Sequence, residues 1–226
     1  IGIGMALSLY ASSITKGRFR KYSQYTTRSR MTGAQVAQGI LDDNNIRDVR
    51  IEPVGGELTD HYDPRTKTLR LSQSVYDSNS MAAFGVAAHE VGHAIQHAKS
   101  YAMLSFRSAW VPVANLGGGL SMFVIILAVF LGGAQSATGS SLSWLGVLLF
   151  GCTTVFTLVT LPVEFDASSR ALKCLQKGNY VTEKELDGAR KVLNAAAMTY
   201  VAAFVTSLLT LLYWMFRLGL LGGRRD

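Results

Sequence analysis

The feature that most constrains this chain is a run of 56 residues, 108–163, that contains no Asp, Glu, Lys or Arg. A second uncharged run covers residues 192–216. In a helix that rises about 1.5 Å per residue, about 20 apolar residues cross the hydrocarbon core of a bilayer. We therefore expect an integral membrane protein in which the first run supplies two spans and the second supplies one.

The first run is too long for one span, and the small polar residues of AQSATGSS, 134–141, interrupt it. Such residues suit a short turn at a membrane surface. The pattern predicts a helical hairpin over 109–163 and a last membrane helix over 194–217. Residues 1–14 are apolar but make only about half a span. We expect them to be part of a first, truncated membrane helix, which brings the total to about four; a cleaved signal peptide is the alternative.

The net charge of +7 and the pI of about 9.5 do not point to nucleic acid, because the basic residues cluster beside an apolar segment. Six basic residues and no acidic one lie in positions 16–30: Lys16, Arg18, Arg20, Lys21, Arg28 and Arg30. Such clusters mark the cytoplasmic end of a membrane helix. We expect residues 15–108 and 164–193 in the cytoplasm. Arg217, Arg224 and Arg225 do not fit this map, so the side of the carboxyl terminus stays open.

The cytoplasmic part is expected to be a small α+β domain. Capping-box spacings predict two helix starts, at Thr32 with Gln35 and at Thr182 with Glu185. The stretches 49–54 and 67–72 have strand character and are separated by turn-forming residues, which predicts a small antiparallel sheet of two or three strands. Residues 81–99 are Ala-rich and contain no proline, so they are predicted to form one helix.

The stretch AAHEVGHAIQH, residues 87–97, places His89 and His93 four residues apart on that helix. Side chains at this spacing lie one turn apart on one face, so both rings can reach a zinc ion at about 2.0–2.1 Å. Glu90 is turned by about 100° from His89, where its carboxylate can take a proton from a water molecule that the metal activates. The pattern predicts a zinc site with His89 and His93 as ligands and Glu90 as general base; a core histidine pair is the alternative.

Glu164 is the preferred third ligand because it is the first charge after the long uncharged run, at the cytoplasmic mouth of the hairpin. An ordinary interfacial carboxylate is the alternative. His97 lies about 12 Å from His89 along a continuous helix, and the chain has Gln96 where metzincins have a glycine that turns the backbone toward the metal. We expect His97 to support the site or to lie at the surface.

Four further interpretations concern residues around these candidates. His61 lies in a predicted turn, where it could steady an oxyanion or be an exposed histidine. Asp166 is about 200° round the helix from Glu164, so the two should not bind one ion. Ser168 shares the face of Glu164 and could support a ligand, while Arg170 could play a supporting part or be only a solvated charge.

The segments HEVGHAIQH and LPVEFDASSRA, on either side of the hairpin, resemble the YugP-type membrane zinc metallopeptidases of bacteria. The resemblance covers nearly the whole chain, including HYDPRTKTLRLS. The chain is more distantly similar to the HtpX heat-shock protease and the CAAX prenyl protease, membrane gluzincins with H-E-x-x-H and a later E-x-x-x-D. This implies a zincin-like domain in the bacterial inner membrane that holds Zn²⁺ by His89, His93 and Glu164, with Glu90 as base. Gluzincins have Asp where this chain has Ser168, so Ser168 or another group must orient the first histidine.

These observations together predict a zinc-dependent endopeptidase that hydrolyses membrane or membrane-proximal proteins at the cytoplasmic face. The alternative is a catalytically inactive zinc-binding scaffold or regulator of the membrane. A zinc transporter is disfavoured, because the predicted spans contain no His, Asp or Glu. The expected partners are a peptide or protein substrate, the lipid bilayer, and a second copy or another membrane protein, but not nucleic acid. The strand edge at 67–72 is a candidate for binding an extended peptide.

Overall fold

The structure is a computed structural model, and it describes residues 2–220. Within this range the chain is mostly helical and contains one small sheet. The helices are α1 (Gly2–Ser23), α2 (Gly33–Asp43), α3 (Gln73–Tyr76), α4 (Met81–Ala98), α5 (Ala102–Phe130), α6 (Ala137–Lys177) and α7 (Glu183–Arg217). The strands are β1 (Arg50–Val54), β2 (His61–Asp63) and β3 (Thr68–Ser72), and a short 3₁₀ turn, Gly133–Gln135, separates α5 from α6.

Three of the described helices, α5, α6 and α7, are long and apolar enough to cross a membrane. The structure therefore confirms the prediction of a mainly helical protein with a small sheet and with helices that could span a membrane. Helix α1 is not among the three, so a fourth membrane helix stays a prediction.

The described chain divides into two compact units. We call the first the apolar unit; its described residues are 2–9, 106–161 and 200–220. We call the second the site unit; it comprises residues 10–105 and 162–199. All the candidate site residues belong to the site unit.

The helices of the apolar unit make close contacts through small and hydroxylated residues. The hydroxyls of Thr154 on α6 and Ser207 on α7 lie 2.8 Å apart, and both residues are buried. Thr206 donates its hydroxyl to the backbone oxygen of Gly4 on α1 at 3.0 Å. A Cβ on Gly117 would come within 2.4 Å of the Leu149 oxygen, so α5 and α6 touch at the backbone. Small residues and hydroxyl contacts are what hold helices together in lipid, where apolar side chains gain nothing by leaving their surroundings.

Helix α4 lies at the centre of the site unit because most of its residues are apolar or small on every face. Of its 18 residues, 14 are buried. Phe84 is fully buried and belongs to the same apolar core as Leu71 of β3, Ile40 of α2 and Leu175 of α6. The H-E-x-x-H sequence is thus carried by a helix that neighbours hold on several sides.

The sheet differs from the predicted antiparallel one. Its order is β1-β3-β2: β1 pairs parallel to β3, with Ile51 opposite Leu69, and β2 pairs antiparallel to β3, with Tyr62 opposite Leu69. Residues 55–67, which connect β1 to β3, contain β2, a strand hidden in the run that the sequence assigned to a turn. A parallel pair needs a connection of about a dozen residues to bring the chain back, and this segment supplies it.

The same order corrects the expectation that the 67–72 strand edge binds a peptide. Strand β3 is central, with β1 on one side and β2 on the other. Just before β2, the Asp60 carboxylate accepts the N–H of Ser72, the last residue of β3, at 2.7 Å. In the described chain, the free edges of this sheet are the outer sides of β1 and β2.

The predicted helix signals agree with the structure. Both capping boxes form: Thr32 and Gln35 exchange side-chain to backbone hydrogen bonds, and so do Thr182 and Glu185. The predicted helix 81–99 is α4, one residue shorter at its end. Helix α6 continues without a break from the uncharged run past Glu164 to Lys177, so the third candidate ligand lies on a regular helix.

Candidate metal centre

Helix α4 places the two motif histidines side by side. Ser80 caps the start of the helix, because its hydroxyl accepts the N–H of Ala83 at 3.2 Å, and the helix runs from Met81 to Ala98 without a proline. The rings of His89 and His93 meet edge to face with centroids 4.8 Å apart. Their side chains are only 13% and 11% exposed, so both imidazoles sit in a largely dry environment.

Glu164 reaches these rings from α6. Its Oε2 atom lies 3.2 Å from Nε2 of His89 and 3.6 Å from Nε2 of His93, and its side chain is 3% exposed. The ligand atoms of all three residues lie within 4.8 Å of one another. Donors bound to one tetrahedral zinc ion at about 2.0–2.1 Å are separated by about 3.4 Å, so the donor set and its spacing fit this metal.

The approach of α6 to α4 depends on Gly92, the fourth residue of H-E-V-G-H. A Cβ on Gly92 would lie 2.5 Å from the backbone oxygen of Ala167 and 3.1 Å from its Cα. Both distances are shorter than normal van der Waals contact. Helix α6 can therefore lie close enough to bring Glu164 between the two histidines only because position 92 has no side chain.

The second nitrogen of each histidine has a polar neighbour. Nδ1 of His89 lies 3.1 Å from the Ser168 hydroxyl, on the α6 face that also carries Glu164. Nδ1 of His93 lies 3.0 Å from Oε1 of Gln96. Such contacts orient the ring and leave Nε2 of both histidines facing Glu164. Ser168 thus stands beside the first histidine, where the gluzincin pattern has Asp.

Gln96 contacts His93, and the sequence motifs did not identify it as a partner of that histidine. Its side chain is fully buried, and its amide nitrogen donates to the backbone oxygen of Val163 and to Asp166, both at 2.8 Å. A signal was present in the sequence: Gln96 lies three residues after His93, on the same face of a helix whose other buried residues are nearly all small or apolar.

Arg170 lies beside Asp166. The Arg170 Nε donates to Asp166 Oδ2 at 2.5 Å, one helical turn apart, and the guanidinium lies over the Tyr101 ring at 5.8 Å from its centroid. Asp166 does not join the group of three converging ligand atoms. Its contacts are with Gln96 and Arg170, which agrees with the expected angle between Asp166 and Glu164.

His97 and His61 lie apart from the three converging residues in the described chain. The hydroxyl of Tyr62 is 2.8 Å from Nδ1 of His97. Burial, with smaller effects of the Asp48 and Asp63 charges, raises the pKa of Tyr62 to about 12, so the phenol that contacts His97 stays protonated. His61 is exposed on β2, with Nδ1 2.8 Å from the oxygen of Thr59.

The electrostatic environment favours a cation between the histidines. Burial alone would lower the pKa of His93, but hydrogen bonding to Glu164, the charges of Glu90 and Glu164, and the Gln96 contact together raise it above 6.5. The same negative surroundings that favour a proton on His93 favour a metal cation there. Glu90 is 8% exposed and also acts on Asp60, whose pKa is raised mainly by burial while hydrogen bonds from Ser72 oppose the rise.

The geometry agrees with the comparison of the chain with known proteins. Residues 1–219 match the model of a family described as "Putative neutral zinc metallopeptidase". The chain belongs to this family. It is also 44% identical over 208 residues to "Putative membrane protease YugP" of Bacillus subtilis (strain 168). The matched region covers 92% of this chain and 90% of that relative. The resemblance inferred from the sequence motifs is confirmed. No solved structure matches the chain.

Replacing Gly92 by Ala should separate α4 from α6. Overpacking of this kind costs about 1–3 kcal/mol of folding stability, and the added methyl group pushes Glu164 away from the histidines. We expect zinc affinity to fall by about 5- to 140-fold, because about 1.4 kcal/mol corresponds to a factor of ten in affinity. Equilibrium dialysis of detergent-purified protein against a zinc buffer measures the change.

The control is Gly151→Ala, which is also on a helix but has no atom within 4 Å of the added Cβ. Zinc affinity should be unchanged in that variant. Equal affinity for zinc in the Gly92→Ala variant and the parent would contradict the role assigned to the close helix contact.

Proposed function

We propose that this chain is a membrane-embedded, zinc-dependent endopeptidase of the gluzincin type that cleaves membrane or membrane-proximal proteins at the cytoplasmic face. The convergence of His89, His93 and Glu164 carries the proposal, because two imidazoles and one carboxylate are a known ligand set of catalytic zinc. Three protein ligands leave a fourth position for water or substrate. Membership of a zinc metallopeptidase family supports the same conclusion.

Zinc held by these three residues would supply a Lewis acid that polarises the scissile carbonyl and makes a water molecule more acidic. Glu90 is the general base: its carboxylate takes a proton from the water whose oxygen attacks the carbonyl carbon. Glu90 then gives this proton to the nitrogen of the leaving amine as the C–N bond breaks. In the described chain Glu90 has no hydrogen bond or ion pair, so its carboxylate is not committed to a structural partner.

The free edge of β2 is the preferred place for an extended substrate. Strand β2 lies at the edge of the sheet and contacts α4 through Tyr62 and His97. A peptide that pairs with an exposed strand edge gains main-chain hydrogen bonds whatever its sequence. This proposal moves the peptide from the strand that the sequence suggested to its neighbour, because β3 is already paired on both sides.

The proposed location is the bacterial inner membrane, with the site unit in the cytoplasm. The basic cluster at 16–30 lies in the site unit, and the charge-free turn between α5 and α6 lies in the apolar unit. Contacts of Gly4 on α1 with Thr206 on α7 support α1 as a further membrane helix. The proposed arrangement is thus a membrane helix over 1–14, a membrane hairpin over 109–163 and a last membrane helix over 194–217.

Glu90→Gln should retain zinc and lose proteolysis. The amide has nearly the shape of the carboxylate but cannot accept the proton, and loss of general acid–base catalysis costs about 10²–10⁴ in rate. The measurement is cleavage of a membrane-protein substrate in proteoliposomes, with zinc content determined by mass spectrometry on the same preparation. Glu52→Gln, a glutamate on β1, is the control and should remain active.

Full activity in the Glu90→Gln variant would refute the mechanism. If the parent protein binds zinc and yet cleaves no protein in a broad substrate screen, the catalytically inactive zinc-binding scaffold is the better description. That alternative has one feature in its favour, since Ser168 replaces the gluzincin carboxylate beside the first histidine.

Glu164→Ala should abolish binding of one zinc ion per chain, because it removes a ligand. Asp166→Ala should retain the metal with lower affinity, since Asp166 touches Gln96 and not the converging ligand atoms. Loss of a residue that only supports a ligand typically costs about 10–100-fold in metal affinity. Metal content by mass spectrometry, with exposed Glu183→Ala as control, separates the two cases. Zinc that stays bound in Glu164→Ala would place the third ligand elsewhere.

The proposed sidedness can be tested by labelling single cysteines with a membrane-impermeant maleimide, after Cys152 and Cys174 are replaced by Ala. Lys99→Cys, in the turn after α4, should react only in inside-out vesicles. Thr138→Cys, at the start of α6, should react only when the outer face is accessible. Both positions are exposed. The reverse pattern would put the site unit outside the cell.

A further inference from the structure

Gln96 occupies an unusual position for an amide. Its side chain is fully buried on α4, yet both N–H donors and the oxygen have a partner. Oε1 contacts His93, and Nε2 donates to the Val163 oxygen and to Asp166. The contacts join α4 to the stretch of α6 that immediately surrounds Glu164. A buried amide with complete partners is costly to remove and holds a fixed orientation.

The partners determine which way the amide faces. A backbone oxygen and the carboxylate of Asp166 can only accept, so the NH₂ group of Gln96 must point to them. Oε1 is then left to face Nδ1 of His93, 3.0 Å away. An oxygen in that position accepts a hydrogen bond, so Gln96 favours a proton on Nδ1 of the neutral His93 ring, in competition with Glu164, whose Oε2 atom lies 3.6 Å from Nε2. With the proton on Nδ1, Nε2 has its lone pair available for a metal ion, on the side of the ring that faces Glu164.

The first histidine is held differently. The partner of His89 Nδ1 is the hydroxyl of Ser168, which can donate or accept. Ser168 therefore orients the ring without selecting one tautomer. The two candidate ligands thus differ in a way that the symmetrical H-E-x-x-H motif does not suggest.

We propose that Gln96 is a positioning residue that fixes His93 as the Nδ1–H tautomer and ties α4 to α6 beside Glu164. The proposal rests on the function proposed above only in treating His93 as a zinc ligand. Gln96 acts through His93 and does not itself bind the metal or the substrate. The orienting group for the second histidine is thus an amide three residues further along the same helix.

Asp166 and Arg170 lock the orientation of this amide. Asp166 Oδ2 accepts from both Gln96 Nε2 at 2.8 Å and Arg170 Nε at 2.5 Å. A flip of the amide would place the Gln96 oxygen against the backbone oxygen of Val163, which can only accept. The contacts with α6 therefore hold the amide in the orientation that turns Oε1 toward the histidine on α4.

The decisive comparison is between Gln96→Leu and Gln96→Glu. Leucine has a similar volume but removes the acceptor for His93 and the donors to α6. Glutamate keeps the acceptor for His93 and loses only the donors. If Gln96 mattered only for packing, the glutamate variant would be the worse one, because an extra buried charge destabilises a protein more than an apolar side chain does.

Two quantities should be measured in detergent-purified full-length protein. The first is zinc affinity, by competition with a chromophoric chelator. We expect Gln96→Leu to lose about 10–100-fold and Gln96→Glu to lose less. The second is the tautomer of His93 in metal-free protein, from side-chain ¹⁵N chemical shifts at a pH where the ring is neutral, assigned by the signal missing in His93→Asn. We expect Nδ1–H in the parent and in Gln96→Glu, and a mixture of tautomers in Gln96→Leu.

A matched control is Gln38→Leu, because Gln38 is an exposed glutamine that also donates to an aspartate, Asp42, at 3.0 Å. It should change neither quantity. The proposal is overturned if Gln96→Leu stays within about twofold of the parent in zinc affinity and keeps the tautomer, or if Gln96→Glu is the worse variant in both measurements. If Gln96→Leu does not fold, loss of the Nδ1–H tautomer in Gln96→Glu overturns it, and retention supports it.

These readings do not depend on proteolysis. An inactive parent protein that binds zinc would contradict the proposed endopeptidase and leave the role of Gln96 intact. A parent that binds no zinc would contradict the proposed metal centre, while the tautomer of His93 would still report on Gln96. Failure of the two proposals is therefore distinguishable.

Discussion

The close contact of α4 with α6 at Gly92 is the packing on which the candidate metal centre depends. One helix carries His89 and His93, the other carries Glu164, and 70 residues separate His93 from Glu164 along the chain. A Cβ at position 92 would meet the Ala167 oxygen at 2.5 Å, so the helices lie nearly backbone to backbone. At that distance a glutamate side chain is long enough to reach both imidazoles, and any larger residue at 92 would lengthen the gap.

Such close packing buries polar groups, and the site unit provides partners for them. Ser168 faces His89, Gln96 faces His93, and Asp166 and Arg170 pair beside Gln96. In surroundings of low dielectric, each buried polar group without a partner would cost a few kcal/mol of folding free energy. These hydrogen bonds therefore stabilise the packing of α4 on α6, and they also orient the two rings. The arrangement places a hydroxyl beside one histidine and an amide beside the other.

Part of this could be predicted because it depends on local sequence. The capping boxes at Thr32 and Thr182 and the long helix with the H-E-x-x-H motif follow from residues three or four apart. The uncharged runs indicated membrane helices because charge is excluded from hydrocarbon whatever the fold. The small sheet was predicted, but the pairing of β1 with β3 was predicted wrongly, since strand pairing is decided by distant segments: β2 was hidden among turn-forming residues, and β1 pairs parallel to a central β3.

By itself, the sequence determined that the chain contains helices long and apolar enough to cross a membrane, that His89 and His93 share a helical face, and that Glu90 lies about 100° away on the same helix. Helical geometry acts over a few residues, so these features are local. Its motifs also placed the chain in the right family. Only the tertiary structure decided which polar groups face the histidines. The partners of Gln96 on α6, and the histidine that Ser168 contacts, lie 67 to 79 residues away, and they meet only where a glycine lets two helices touch. Contacts over such separations depend on packing, which no local pattern of residues specifies.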